Sequence, residues 1–171
     1  MLHGDMTEEE MAGMYANPKI KALINIAHGE GFGLPMFEAA CNSLPVVAPS
    51  WSGQNDFLYA PEKDKNKSNK KAKMRPHFAN VDYVLQPIQE SAIWDGVIER
   101  DSMWCFPHKG SYKQSLRNVY VNYGSYKKKA EKLKKYVIKN FTEEKQYKQF
   151  ADFISPEETV EIDEWLDNLD V

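Results

Sequence analysis

Between His28 and Ala40 the chain reads His28-Gly29-Glu30-Gly31-Phe32-Gly33-Leu34-Pro35-Met36-Phe37-Glu38-Ala39-Ala40, and here the residue types and their spacing could do chemistry. Three glycines in five positions let the backbone take positive φ and leave no β-carbon between a ligand and the amides. Pro35 marks the first turn of a helix, where its missing N–H costs nothing and its fixed φ suits the start. A glycine loop running onto a helix N-terminus turns several unpaired N–H groups and the positive end of a helix dipole toward one point, which makes an anion site, most naturally for phosphate. Two carboxylates frame it, Glu30 and Glu38, with seven residues between them. Like charges repel, so their partners are expected to be neutral donors such as sugar hydroxyls rather than the phosphate.

The elements that must hold this loop can be read on either side. Thr7-Glu8-Glu9-Glu10 has the form of a capping box, opening a helix that Pro18 ends near Asn17. Ile20 to Ala27 is apolar and β-branched, which predicts a buried strand delivering the chain into the loop. Pro35 to Ser43 then reads as a short helix and Pro45-Val46-Val47-Ala48 as a short buried strand. This order describes a right-handed parallel α/β unit with its ligand loop at the carboxyl end of a strand. Pro49 to Asp56 follows the second strand and falls at the same edge, where its small polar residues serve either as ligand contacts or as plain turn formers.

The remainder is less specific. Glu62 to Arg75 is strongly basic and reads as a solvated insertion, or as a surface for an acidic acceptor, an anionic membrane or the acidic tail. Val81–Gln86 and Met103–Phe106 predict short strands, with Trp94 and Trp104 as core aromatics and His77 and His108 as surface histidines. Ser111 to Ile154 is helical in pattern, broken at Gly124-Ser125 and restarting at Thr142. Its lysines are dense, and Ala130, Leu133, Tyr136 and Val137 form an apolar stripe. Residues 155–171 carry seven acidic and no basic side chains, with Val160, Ile162, Trp165, Leu166 and Leu169 as an apolar set, and read as an acidic amphipathic tail to a domain spanning 1–154.

Composition bounds the class. A chain of 171 residues suits one domain, with or without a tail, and can bury a core. Its net charge of −3 gives no reason to expect nucleic acid as a partner. No apolar run is long enough to span a bilayer and no basic-then-apolar leader pattern opens the chain, so the reading is cytoplasmic, with peripheral membrane contact resting on the basic insertion alone. Cys41 and Cys105 match no metal or redox spacing and are expected to be buried free thiols.

Glu30-Gly31-Phe32-Gly33-Leu34-Pro35 with Glu38-Ala39, followed by Leu44-Pro45-Val46-Val47-Ala48, resembles the donor-binding signature of the retaining glycosyltransferase family 4 and its GT-B relatives. Glu30 and Glu38 match that family's E-x7-E motif. The likeness covers roughly residues 1 to 58, from Leu2-His3-Gly4, which resembles the family's strand end near the nucleobase, to Gly53. It implies a Rossmann-like parallel sheet flanked by helices, similar to the C-terminal half of a GT-B enzyme. By the same resemblance, the amides of Gly31, Phe32, Gly33 and Leu34 hold the diphosphate of a UDP- or GDP-sugar, Glu38 takes the ribose hydroxyls, and Glu30 faces the transferred sugar. Leu2 and His3 lie near the base, and Ser52 and Gly53 are further donor-contacting positions. No divalent metal or other cofactor is implied. The reaction implied is transfer of the sugar to an acceptor hydroxyl with retained configuration, Glu30 orienting sugar hydroxyls and stabilising developing oxocarbenium charge rather than attacking.

The chain departs from that family at Asn42, where the family usually has glycine, in its basic insertion, and in two ways that bear on catalysis. The family's first, acceptor-binding domain has no counterpart here, and none of Lys19, Lys21 or Lys63 matches the basic residues that neutralise the leaving diphosphate. Three readings stay open: a fragment of such an enzyme, a donor-binding subunit completed by an N-terminal acceptor domain on a separate chain, or a non-catalytic nucleotide or sugar-phosphate binding module that self-associates.

Overall fold

A computed structural model describes residues 4–63 and 72–154. The expectations for Leu2, His3, most of the basic insertion and the acidic tail lie outside the described residues. The chain divides into two compact units, one ending at Val137 and the other beginning at Ile138.

The first unit is mixed α/β, with a three-stranded parallel sheet flanked by helices. Helix α1 (Glu8–Ala16) opens as the sequence predicts: the Thr7 hydroxyl accepts the Glu10 amide at 3.2 Å and the Glu10 carboxylate accepts the Thr7 amide at 2.9 Å. Strand β1 (Leu23–Ile24) leads to the glycine loop and helix α2 (Leu34–Cys41), and strand β2 (Val46–Pro49) follows. Next come a one-turn helix α3 (Asn55–Leu58), an antiparallel pair β3 (Tyr59–Glu62) and β4 (Lys73–Pro76), and β5 (Ala79–Val81). The sheet order is β1-β2-β5, with Leu23 opposite Val46 and Val47 opposite Ala79.

Strand β2 is central and covered on both faces. Val47 packs with Ala79, Val81 and Val119, while Val46 and Ala48, which point the other way by the two-residue alternation of a strand, are equally buried. Helix α4 (Lys109–Val121) supplies Val119 and ties its Ser115 hydroxyl to the Asn80 carbonyl of β5 at 2.6 Å. Helix α5 (Tyr123–Asn140) buries Ala130, Leu133 and Val137, three members of the apolar stripe set among its lysines. An antiparallel hairpin, β6 (Tyr83–Pro87) with β7 (Met103–Pro107), carries the intervening 88–102 segment.

Several expectations change. The strand expected over Ile20–Ala27 shortens to two residues at the sheet edge, and Ile24 and Ile26 are 44% and 43% exposed. The flanks of the basic segment form the paired strands β3 and β4, the latter exposed at all four residues, and Lys132 reaches Glu62 there at 2.8 Å. His77 is buried, its Nδ1 at 2.8 Å from the Arg75 carbonyl, because it closes the β4–β5 connection. Trp94 is 66% exposed instead of in the core, since it sits in a tight turn closed by its pairing with Ile98. The helical break falls at Asn122, which caps α4, and α5 runs on through Gly124.

In the second unit, helix α6 (Glu143–Ile154) begins just after Thr142, as predicted, and buries none of its residues. Among the described residues, no helix is long and apolar enough to cross a membrane.

Candidate functional site

The glycine loop leaves β1 at the carboxyl end of the sheet and ends at Gly33, the N-cap of α2, with φ 89° in the left-handed region. That conformation lets the Gly33 carbonyl accept both the Met36 and Phe37 amides, at 2.9 and 3.0 Å, and start the helix within one turn. A β-carbon on Gly33 would also fall 2.8 Å from the Met36 methyl. Among the described residues, the amides of Gly31, Phe32, Gly33 and Leu34 form no backbone hydrogen bond, which leaves their donors unspent in the loop that leads into α2. Phe32 is held from below by Phe37 and Phe57, with ring centroids 5.2 and 5.0 Å away. Leu34 is 62% exposed.

The loop after β2 grips the first. The Ser52 hydroxyl accepts the Glu30 amide at 3.3 Å and donates to the Glu30 carbonyl, which also accepts the Gly53 amide at 3.2 Å. Ser52 holds this place with φ 74°, an uncommon conformation for a residue with a side chain. Gly53 passes so near Gly31 that any β-carbon would collide with the Gly31 carbonyl oxygen. Beside it Gln54 is buried, its amide Nε2 donating to the Pro49 carbonyl at 3.1 Å.

The β6–β7 hairpin supplies a third hold. His28 stacks on Trp104 with a centroid distance of 4.7 Å and an interplanar angle of 9°, and its Nδ1 lies 2.8 Å from the Cys105 carbonyl. The Cys105 amide returns a bond to the His28 carbonyl at 3.1 Å, so the residue two before Glu30 is fixed to β7 by both backbone and ring. The Tyr83 hydroxyl donates to the Ser50 carbonyl at 3.1 Å and joins the hairpin to the second loop as well.

Glu30, Gly31, Ser52 and Gly53 are therefore brought together, whereas Glu38 lies on the flank of α2 that faces α1. There it lines a cavity of about 370 Å³ with Met6, Met11, Tyr15 and Phe37 among its other walls. The Tyr15 hydroxyl donates to the Glu38 carboxylate, and burial, followed by that bond and the carboxylate charge, pushes the Tyr15 pKa up from 10.0 to about 12. Cys41 lines the same cavity and is a half-buried free thiol, its pKa raised chiefly by burial. Cys105 is buried and free.

A tyrosine whose folded pKa exceeds its unfolded value contributes stability that is complete below pH 10.0 and is lost as the pH climbs through about 12. Tyr15→Phe removes that dependence. Comparing urea midpoints at neutral and strongly alkaline pH, the wild type is expected to lose on the order of 2 kcal/mol more than the variant. Equal losses would show that Tyr15 does not hold its proton this way.

Of the residues that hold the loop and its flank, some carry no local signal in the sequence. Tyr15 looks like an ordinary apolar position of α1, and the His28–Trp104 stack joins residues far apart in sequence, so neither carries a local signal. Asn25 does: it is the one polar residue in Ala22-Leu23-Ile24-Asn25-Ile26-Ala27, five positions before Glu30. Of the lysines weighed as diphosphate partners, Lys21 is engaged elsewhere, its ammonium 5.4 Å from the centre of the Tyr123 ring. Among the described residues, no group of three or more His, Cys, Asp or Glu side chains is placed to hold a metal ion.

Comparison of the chain with models of known protein families, with curated proteins and with solved structures finds no match.

Proposed function

We propose that this chain is the nucleotide-sugar donor-binding domain of a retaining glycosyltransferase of the GT-B type. The observation that carries the reading is the set of four amides without a backbone partner in the loop that leads into α2, beside a Glu30 fixed by Ser52 and Gly53. The amides suit a diphosphate, Glu30 suits hydroxyls of the transferred sugar, and Glu38, further along α2, is the carboxylate left for the ribose. The parallel sheet with helices on both faces, and its loops at the carboxyl ends of β1 and β2, support a Rossmann-like assignment. The one-sided pairing of β1, with Ile24 and Ile26 exposed, supports completion by an acceptor domain or by self-association at that edge. In the transfer reaction the amides would stabilise charge on the leaving diphosphate, and Glu30 would face the anomeric centre as positive charge develops.

A non-catalytic binding module is the second reading, favoured by the engagement of Lys21 on Tyr123, which leaves it unplaced to neutralise a leaving group. Turnover with a supplied acceptor domain separates the two readings.

The test is calorimetric titration of the folded protein with UDP, GDP and their sugars. Glu38→Ala is expected to weaken nucleotide affinity about tenfold by removing the charged acceptor for the ribose hydroxyls. An unchanged affinity would break the ribose assignment, and no binding of any of these nucleotides would remove the donor-site reading.

A further inference from the structure

Glu30 is held at three atoms, and two of those holds are backbone contacts that any residue at position 30 could make with Ser52 and Gly53. The third is particular to its side chain: the Asn25 amide Nδ2 donates to Glu30 Oε1 at 2.5 Å. Asn25 is itself fixed. Its backbone N–H bonds the Val47 carbonyl of β2 at 3.0 Å, and its Oδ1 accepts the Ala27 amide at 2.8 Å. Because Oδ1 is spent on an N–H donor, the side-chain amide has one orientation, with its nitrogen toward the carboxylate.

We propose that Asn25 is the positioning residue that sets the Glu30 carboxylate for the donor sugar, an assignment that rests on the donor-site reading above. A neutral amide does this differently from a lysine or arginine. It pins Oε1 without cancelling the negative charge, so Oε2 remains a full-strength acceptor in a direction set by the strand. The chemistry recognised there is a sugar hydroxyl. Asn25 also transmits the position of the sheet to the site: its backbone belongs to the ladder with β2 and its side chain to the loop, so the carboxylate is referenced to the most buried strand of the unit.

The experiment measures, on the full chain, the affinity for UDP against UDP-glucose and for GDP against GDP-mannose, and takes the ratio within the pair that binds as the sugar-dependent gain. Asn25→Ala is expected to reduce that gain about tenfold while leaving the affinity for the bare diphosphate unchanged. Asn25→Asp keeps the oxygen that accepts the Ala27 amide but removes the donor to Glu30 and sets a like charge against it. A purely structural role predicts that both variants lower the thermal midpoint and weaken bare and sugar-bearing nucleotides alike; the positioning role predicts that both lose the sugar-dependent gain, Asn25→Asp at least as much as Asn25→Ala, with the affinity for the bare diphosphate kept. Glu30→Ala is expected to remove the same gain, and adding Asn25→Ala to it to remove nothing further. Equal losses for bare and sugar-bearing nucleotides, additive losses in the double variant, or a wild type that binds nucleotide with no sugar-dependent gain each overturn the proposal while leaving the nucleotide site standing. Absence of any nucleotide binding overturns both.

Discussion

Gly53→Ala is expected to abolish nucleotide binding and to destabilise the first unit by about 3 kcal/mol. The cause is close approach. The added methyl would collide with the Gly31 carbonyl oxygen and lie 2.9 Å from the Phe32 Cα, and both obstacles are backbone atoms that cannot rotate away. To make room, the two loops must part, and parting them breaks the Gly53 bond to the Glu30 carbonyl and the paired bonds of Ser52 to Glu30. Fold and site are thus lost together. Gly31→Ala separates the two effects: a β-carbon there meets nothing within 4 Å, so stability is expected to hold while the new methyl intrudes on the approach to the amides. Thermal melts and nucleotide titrations of both variants check this, with a fall in midpoint of roughly 6–12 °C for the first and almost none for the second. A Gly53→Ala protein that melts like the wild type would show that the two loops are not in contact.

The contrast between those glycines also marks how far sequence could reach. The residues of the loop and the helix after it were readable because their signals are local: glycine spacing, a proline in the first turn, and two carboxylates at a fixed interval. Thr7 and Glu10 likewise announced α1 through a motif four residues long. Sequence alone could not tell Gly53 from Gly31 by role, because that difference depends on a contact between segments more than twenty residues apart. Glu38 stands out in the sequence as one of two carboxylates at a fixed interval, but its bond to Tyr15 depends on how α1 lies along α2. Strand β1 is shorter than its apolar run suggests for a related reason: such a run reports the capacity to be buried, and whether another element covers Ile24 and Ile26, which are exposed, depends on distant parts of the chain. His77 erred in the opposite direction, a polar residue buried because a nearby carbonyl satisfies its ring nitrogen.

Phe57→Ala carries the second large effect, an expected loss of about 3–5 kcal/mol, measured as a fall in the free energy of urea unfolding. Phe57 has no exposed surface and is among the largest fully buried side chains. Its ring meets Phe37 edge-on at 5.3 Å and Phe32 at 5.0 Å, which makes it the member of the cluster that supports a core helix and the glycine loop at once. Truncation leaves a cavity under α2 that Phe37 cannot fill without leaving its own place, so the transfer and cavity penalties add. Phe57→Leu keeps most of the volume and is expected to cost nearer 1 kcal/mol. The functional consequence comes through Phe32: without the Phe57 ring against it, the middle of the glycine loop loses a packing partner. Nucleotide affinity of the folded fraction is therefore expected to fall in Phe57→Ala even under conditions where unfolding is negligible, and to be largely kept in Phe57→Leu. Wild-type affinity in a folded Phe57→Ala protein would mean that the cradle is shaped by the hold of Ser52 and Gly53 on Glu30 and not by the rings below.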